Sequence, residues 1–264
     1  MATPATPPAT EPEIRVYWQP GCSSCLRTKE FLTEHRVPFR SIDVLADPQG
    51  FRDLQELGVR MIPLVVKGRE YASGQILTDV ARIAGIEYGR EVLPVEALKA
   101  RIDTILAAAL RCSAQLPAGS LDTMLPNRPR SYRDLACHIF MIVDALVAET
   151  QGDPLTEAKY LAPAPEHVRS AADIVAFGEG VRERFEGWWA AGGHDFARKA
   201  EVYYGAQTLH DFMERTAWHS GQHSRQLALV LEKLGVTPEG KLTEADFAGL
   251  PMPRYVWDDE KRWD

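Results

Sequence analysis

The stretch Tyr17-Trp18-Gln19-Pro20-Gly21-Cys22-Ser23-Ser24-Cys25 decides the fold of the first part of the chain. It joins a strand pattern, Ile14 to Trp18, to a helix pattern, Ser24 to Glu34, through a Pro-Gly turn. Cys22 therefore falls where the helix begins, beside unpaired backbone N–H groups and the positive end of the helix dipole. Both favour a thiolate, and Cys25, one helical turn later, is placed to form a disulfide with Cys22.

A Cys-x-x-Cys pair is also half of a common zinc site, which is the alternative interpretation of Cys22 and Cys25. No second Cys-x-x-Cys or Cys-x-x-His follows it in the sequence. We therefore predict that Cys22 and Cys25 are a catalytic, redox-active pair. Cys112 and Cys137 stand alone, and we predict that both are small core residues.

The residues that follow alternate between strand and helix patterns, which predicts an α/β domain with crossover helices. Strands are predicted at Phe39–Val44 and Leu64–Val66, and helices at Asp47–Leu57 and Ile76–Ala84.

Residues 14–85 resemble the glutaredoxin family, whose members have a thioredoxin-like fold. The opening stretch is similar to the family's Tyr-x-Lys-Pro-x-Cys-Pro-Tyr-Cys signature, and Arg60-Met61-Ile62-Pro63-Leu64-Val65 is similar to its Thr-Val-Pro segment. The resemblance implies that Pro63 is cis and that the Ile62 backbone faces a bound thiol peptide. It also implies a glutathione-binding role for the positions of Gln19, Ser73 and Gly74.

Three positions depart from the family pattern. Gln19 replaces a lysine that commonly pairs with the glutathione carboxylate, Ser23-Ser24 replaces Pro-Tyr, and Ser73 replaces a glycine. Glutathione and protein disulfides therefore both remain candidate redox partners.

Strand patterns end near residue 88, and four long amphipathic segments follow. They are Val95–Gln115, Tyr132–Glu149, Ala171–Ala190 and Ala206–Leu234. This pattern predicts an all-α, antiparallel four-helix bundle. The predicted organisation is a disordered tail over residues 1–12, a thioredoxin-like domain over 13–88, the bundle over 94–240 and an irregular segment over 241–264.

Two histidines of the last helical segment share one helix face, because His219 and His223 are four residues apart. That face also carries Phe212 and Leu227, so it points to the core. His138 lies in the same way on another segment. Three imidazoles that point into one core favour a divalent metal with one open coordination position. The alternative is histidines satisfied by ordinary hydrogen bonds or by solvent.

Residues 94–236 resemble the DinB superfamily of metal-binding bundles, in the stretches Arg130–Ile139 and Glu214–Leu227. The resemblance implies that His138, His219 and His223 are the metal ligands. It also implies a relation to thiol-dependent S-transferases and isomerases. The sequence does not identify the metal, because imidazole ligands suit zinc, nickel, iron or copper.

Three polar residues near these histidines have two interpretations each. Asp134 is either an orienting partner of His138 or an acid at a helix N-terminus. Gln222 and Gln226 either donate to a ligand or are surface residues.

The 264-residue chain carries a net charge of -7, has no basic cluster for a nucleic acid and no apolar run long enough for a membrane span. Without an export signal, the cytoplasm is the expected compartment. The sequence does not determine the oligomeric state, and a homodimer is one of the states it allows.

Three functions fit these observations. The leading hypothesis is a thiol-dependent metalloenzyme, of S-transferase or isomerase type, with glutathione or another low-molecular-weight thiol as partner. The second is a thiol–disulfide oxidoreductase whose bundle is a metal-binding accessory. The third is a metal or redox sensor without turnover.

Overall fold

The computed structural model describes residues 12–258 and Trp263. The predicted disordered tail, apart from Pro12, lies outside the described residues. Contacts divide the chain into two compact units. The first unit comprises the chain up to Gln19 together with Thr28–Tyr88, and the second comprises Pro20–Arg27 together with the chain from Gly89 onward. The short segment Pro20–Arg27 thus belongs by its contacts to the second unit, although it lies within the predicted thioredoxin-like domain.

The first unit is a mixed sheet of four strands. In spatial order these are β2 (Phe39–Asp43), β1 (Ile14–Trp18), β3 (Leu64–Lys67) and β4 (Glu70–Ser73). Strand β1 runs parallel to β2 and antiparallel to β3, and β3 pairs antiparallel with β4. This topology confirms the predicted thioredoxin-like α/β class.

Three helices cover the sheet, because its central strands are apolar on both faces. They are α1 (Ser23–Glu34), α2 (Pro48–Glu56) and α3 (Leu77–Ala84). Val16 packs with residues of α1 and α3 in one core, and Tyr17 packs with residues of α2 in another. Because successive side chains of β1 point to opposite faces of the sheet, α1 and α3 cover one face and α2 covers the other.

The sequence patterns missed strand β4. This strand has only four residues, Glu-Tyr-Ala-Ser, and two of them are exposed. A short edge strand of this composition gives too few apolar positions for a period-two signal.

The second unit is helical, as predicted. Its helices are α4 (Val95–Ala114), α5 (Tyr132–Thr150), α6 (Glu157–Tyr160), α7 (Ala171–Ala191) and α8 (Leu209–Lys233). Helices α4 and α5 each contact both α7 and α8. Capping boxes at Ser131, Ser170 and Thr208 fix the starts of α5, α7 and α8.

Two features of this unit differ from the sequence prediction. Strand signals were expected to end before it, yet β5 (Lys199–Ala200) pairs with β6 (Gln207–Thr208). The segment over residues 241–264 was expected to be irregular, yet Glu244–Phe247 forms a 3-10 helix. Both elements are too short to produce a periodic pattern.

Within the described residues, no helix has the length and apolar character needed to cross a bilayer.

Helix α7 offers a matched pair of glycines that tests this packing. A β-carbon at Gly178 would lie 2.7 Å from the Phe140 ring of α5, whereas one at Gly187 would meet nothing within 4 Å. We expect Gly178→Ala to lower the free energy of unfolding by about 1–3 kcal/mol through overpacking. Gly187→Ala should raise it by about 0.5–1 kcal/mol through helix propensity. Urea unfolding measures both, and equal effects would contradict the close approach of α5 and α7.

Candidate functional site

Cys22 and Cys25 form a disulfide at the start of α1, as their spacing predicts. The backbone N–H of Cys25 donates to Cys22 Sγ at 3.3 Å. Cys25 is fully buried, whereas Cys22 retains 8% of its surface. An incoming sulfur therefore meets Cys22 first, and the N-terminal end of α1 stabilises negative charge there after reduction.

The other two cysteines are buried and unpaired, which confirms the prediction of core residues. Burial raises the pKa of Cys137 to about 12 and also raises the pKa of Cys112. Since the thiolate is the reactive form, neither residue is a suitable nucleophile near neutral pH.

The segment that carries Cys22 and Cys25 packs within the second unit. Ser23 Oγ lies 3.4 Å from His223 Nε2. The Arg27 guanidinium lies 4.0 Å from the centroid of the Trp218 ring, and Arg128 donates to the Gly21 carbonyl. The first turn of α1 thus touches helix α8 beside its histidines.

The second unit brings together the three histidines that the sequence singles out. His138 comes from α5, and His219 and His223 come from successive turns of α8. All three are buried, and one ring nitrogen from each lies within 4.8 Å of the others. His219 Nε2 and His223 Nε2 are 3.0 Å apart. Nitrogens that share a tetrahedral zinc ion lie about 3.3 Å apart, so the observed spacing is close to that of a ligand set.

The hydrogen bonding of these rings also suits a metal. Both ring nitrogens of His138 and the Nδ1 atom of His219 lack a hydrogen-bond partner among the described residues. A buried polar atom without a partner is costly, and a bound cation would satisfy several of these atoms at once.

Burial and nearby positive charge favour the neutral form of all three rings. Burial is the main cause that lowers the pKa of each imidazole well below its ordinary value. Positive charge adds to this effect, since Arg130 lowers the pKa of His138 and His223, and Arg215 lowers that of His219. Metal ligation requires the neutral form of imidazole, so the electrostatics agree with the geometry.

Gln226 fixes the tautomer of one histidine. Its side-chain amide donates to the Val256 carbonyl at 3.3 Å, which leaves Gln226 Oε1 to accept from His223 Nδ1 at 2.8 Å. The proton of neutral His223 is then on Nδ1, and the Nε2 lone pair points into the cluster. Gln226 is therefore a buried orienting residue rather than a surface glutamine.

The two other polar residues take structural roles. Asp134 completes the capping box with Ser131 and accepts from the Ala164 backbone N–H, so it is the helix N-terminal acid rather than a partner of His138. Gln222 is buried and donates to the Tyr255 and Val256 carbonyls. It holds the chain after the 3-10 helix against α8.

A small cavity of about 20 Å³ borders His138. Tyr160, Arg215 and Lys159 line it together with His138 and four apolar side chains. Its volume suits about one water molecule. The open space beside His138 is therefore sufficient for a water or a single ligand atom, but not for a whole substrate without movement of its walls.

The residues expected to bind a thiol lie in the first unit. The Ile62–Pro63 peptide is cis, as the glutaredoxin resemblance implies. The Gly74 backbone N–H donates to the Pro63 carbonyl at 2.8 Å, so these two positions are adjacent. Ser73 ends strand β4, and Gln19 follows β1. A thiol-binding role for Gln19, Ile62, Pro63, Ser73 and Gly74 stays a prediction.

Sequence reasoning missed the arginines and the tyrosine near the histidines. Arg130 is buried, and the Tyr160 ring lies 5.3 Å from the His138 ring, between centroids. Arg130 lies in the loop before α5, where no periodic pattern marks it as buried. Tyr160 lies on the short helix α6 and gave no periodic signal.

Comparison with known proteins concerns the N-terminal part of the chain. Residues 14–72 match the glutaredoxin family. The glutaredoxin-like protein NrdH of Lactococcus lactis subsp. cremoris is 28% identical over 71 residues, which are 27% of this chain and 99% of that protein. N-acetyl-S-hydroxy-L-cysteine reductase of Bacillus subtilis is 40% identical over 58 residues, which are 21% of this chain and 61% of that protein. No solved structure matches the chain significantly.

The N-terminal part of the chain is therefore a glutaredoxin-like domain, and thiol–disulfide oxidoreductase activity is supported. The family match ends at residue 72, so the resemblance of residues 94–236 to the DinB superfamily stays a prediction.

The orientation of His223 by Gln226 predicts an effect on metal binding. We expect Gln226→Leu to weaken zinc binding by about 10- to 100-fold, because His223 loses the acceptor that fixes its tautomer. Gln222→Leu is the matched control on the same helix, since Gln222 contacts backbone carbonyls and no imidazole. Competition with a chromophoric chelator measures both affinities. If the two variants bind zinc equally, Gln226 does not orient a ligand.

Proposed function

We propose that this chain is a thiol–disulfide oxidoreductase whose nucleophile is Cys22, and that its three buried histidines bind a divalent metal. The observation that carries the first statement is the Cys22–Cys25 disulfide at the N-terminus of α1, within the residues that match the glutaredoxin family. The substrate is a disulfide, and the expected reductant is a low-molecular-weight thiol such as glutathione. The cytoplasm is the proposed compartment.

The reaction follows from the placement of the two sulfurs. In the reduced protein, the Cys22 thiolate attacks one sulfur of a disulfide and releases the other as a thiolate. Cys25 then loses its proton and attacks Cys22 Sγ, which releases the second thiolate and leaves the Cys22–Cys25 disulfide. Two electrons pass to the substrate, and two equivalents of the reducing thiol restore the dithiol.

The buried position of Cys25 suits its part in this sequence. Cys25 lies one helical turn beyond Cys22, and it has no exposed surface at which an external disulfide could react. It can attack only a neighbouring sulfur, so the mixed disulfide at Cys22 is resolved within the chain.

We further propose that the second unit is a DinB-like four-helix bundle made of α4, α5, α7 and α8. The pairwise contacts of these helices support it, as does the convergence of His138, His219 and His223. Zinc, nickel or iron would fit this all-imidazole set, and such an ion supplies an open position at which a bound thiol loses its proton. The chain's own part is to present three neutral rings and to exclude bulk water.

The oxidoreductase proposal predicts the behaviour of the cysteine variants. We expect Cys22→Ser to reduce the rate of bis(2-hydroxyethyl) disulfide reduction by glutathione at least about 100-fold, because the attacking thiolate is lost. Cys25→Ser should accumulate a mixed disulfide at Cys22, visible by intact-protein mass. Cys112→Ala is the control, since the pKa of this buried thiol is raised. Cys22→Ser protein that keeps a tenth of the activity would exclude Cys22 as the nucleophile.

A second candidate function is a thiol-dependent metalloenzyme of S-transferase or isomerase type. The unpartnered nitrogens of His138 and His219 favour it, since they are unexplained by disulfide chemistry.

This candidate predicts a separation of activities. Zinc-loaded protein should catalyse the displacement of chloride from 1-chloro-2,4-dinitrobenzene by the glutathione thiolate, and His219→Ala should abolish this activity together with zinc binding. Cys22→Ser should retain it, and His167→Ala is the control because His167 is exposed. A rate that does not depend on zinc would exclude the metalloenzyme and leave the histidines with an accessory or sensor role.

A further inference from the structure

One side chain of the cysteine segment lies against the histidine cluster. Ser23 is the first residue of α1, only 2% of its surface is exposed, and its Oγ atom lies 3.4 Å from His223 Nε2. The other ring nitrogen of His223 is bound to Gln226, so Nε2 is the nitrogen that is left for a metal. The Ser23 hydroxyl therefore approaches the lone pair that an ion would use.

The distance from Ser23 to His223 has the value expected between two ligands of one ion. Zinc lies about 2.0–2.1 Å from an imidazole nitrogen, so the donor atoms of a tetrahedral site are about 3.3 Å apart. His219 Nε2 and Ser23 Oγ lie 3.0 Å and 3.4 Å from His223 Nε2. Three histidines leave one of four positions open, and the cysteine segment places an oxygen at the spacing of a fourth ligand.

Further contacts hold this segment against the helices of the second unit. The Arg27 guanidinium lies 4.0 Å from the centroid of the Trp218 ring, and that ring stacks on His219 with 5.2 Å between centroids. At the other end of the segment, Arg128 donates to the Gly21 carbonyl. The approach of Ser23 to the histidines therefore follows from the packing of the whole segment and not from one side chain.

Cys22 is a stronger ligand than Ser23 once the disulfide is reduced. A thiolate is a preferred ligand of zinc, whereas a neutral hydroxyl is not. In the oxidised protein the Cys22 sulfur is bonded to Cys25 and holds no thiolate. Reduction frees this sulfur one residue away from the hydroxyl that marks the open position. Cys22 also keeps some exposed surface, whereas Cys25 has none.

We infer that the dipeptide Cys22-Ser23 supplies the fourth ligand of the histidine centre, and that reduction of the disulfide tightens metal binding because Cys22 Sγ then takes this position. The inference rests on the proposed metal site. Reduction of the disulfide takes up two electrons from the reductant and two protons. The Cys22 thiol then passes its proton to solvent as its sulfur binds the ion, and the metal keeps its oxidation state.

The linkage between metal and disulfide is reciprocal. If reduced protein binds the metal more tightly, the metal must favour the reduced form of the cysteine pair by the same factor. A 10- to 100-fold difference in affinity corresponds to a reduction potential that is about 30–60 mV higher with metal bound. A Cys22 sulfur bound to the ion is also withheld from external disulfides, so the metal would restrain the oxidoreductase activity.

Cobalt(II) is the probe that tests the inference, because it accepts the ligands of zinc and because a cobalt–thiolate bond gives an intense near-ultraviolet band that cobalt–imidazole bonds lack. Full-length protein is titrated with cobalt(II) in the absence of oxygen, once oxidised and once reduced with a phosphine. We expect reduced wild-type protein to show the band and to bind cobalt about 10- to 100-fold more tightly than oxidised protein. Oxidised protein should bind cobalt without the band.

Variants identify the ligand. Cys22→Ser should bind cobalt without the band and with the same affinity whether or not the reductant is present. Cys25→Ser leaves Cys22 free, so it should show the band without any reductant. Ser23→Ala should weaken cobalt binding by oxidised protein severalfold and keep the band of reduced protein. Cys112→Ala is the matched control, because Cys112 is a buried cysteine outside this segment, and it should behave as wild type.

His219→Ala distinguishes the proposed centre from a site made of the two cysteines alone. The band should disappear in reduced His219→Ala protein, and His138→Ala is a second variant in case the first does not fold. A band that persists in these variants would overturn the inference, because cobalt would then bind the cysteines without the histidines. Reduced wild-type protein that binds cobalt without the band, and no more tightly than oxidised protein, would also overturn it.

Failure of the metal site itself would give a different result. Oxidised wild-type protein would then bind cobalt no better than oxidised His219→Ala protein. The inference about Cys22 and Ser23 is overturned separately, when cobalt binds to the histidines but its affinity does not respond to the disulfide.

Discussion

The burial of three imidazoles against one another is the constraint on which the second unit depends. Each ring nitrogen that leaves water needs a partner, and the protein supplies few: Gln226 for His223, and the Ser23 hydroxyl at a longer distance. One ring nitrogen of each histidine lies within 4.8 Å of those of the other two. Such a core favours neutral rings whose lone pairs have partners, and burial together with neighbouring arginines lowers the pKa of His138 and His223. The capping boxes of α5 and α8 fix the helix starts and hence the register that makes these rings meet.

Much of this could be predicted from local sequence patterns. The strand, the turn and the helix around Cys22 are defined by neighbouring residues, so they can be predicted locally, and the Cys-x-x-Cys spacing places the two sulfurs for a disulfide. The same holds for His219 and His223, since one helix turn separates them. His138 was placed toward the core by periodicity, and the structure brings it to the other two.

What the sequence did not show depends on contacts between distant residues. Arg130 is buried although it lies in a loop, and no local pattern encodes that. From the sequence, Gln226 resembles a surface glutamine. Its role depends on the carbonyl of Val256, thirty residues away, which accepts a hydrogen bond from its side-chain amide. The grouping of Pro20–Arg27 with the helices is of the same kind, because Gly21 and Ser23 find their partners more than a hundred residues later. Strand β4 was missed for a different reason, since it has only four residues, two of them exposed, and carries too little pattern.

A single positive potential links the two chemistries of the second unit. Cationic groups favour the less protonated form of any titrating neighbour, whether that form is a neutral imidazole or a thiolate. The arginines around His138 and His223 therefore suit metal ligation, which needs free lone pairs. Arg128 donates to the carbonyl of Gly21, the residue before Cys22, so a positive charge is held near the N-terminal end of α1.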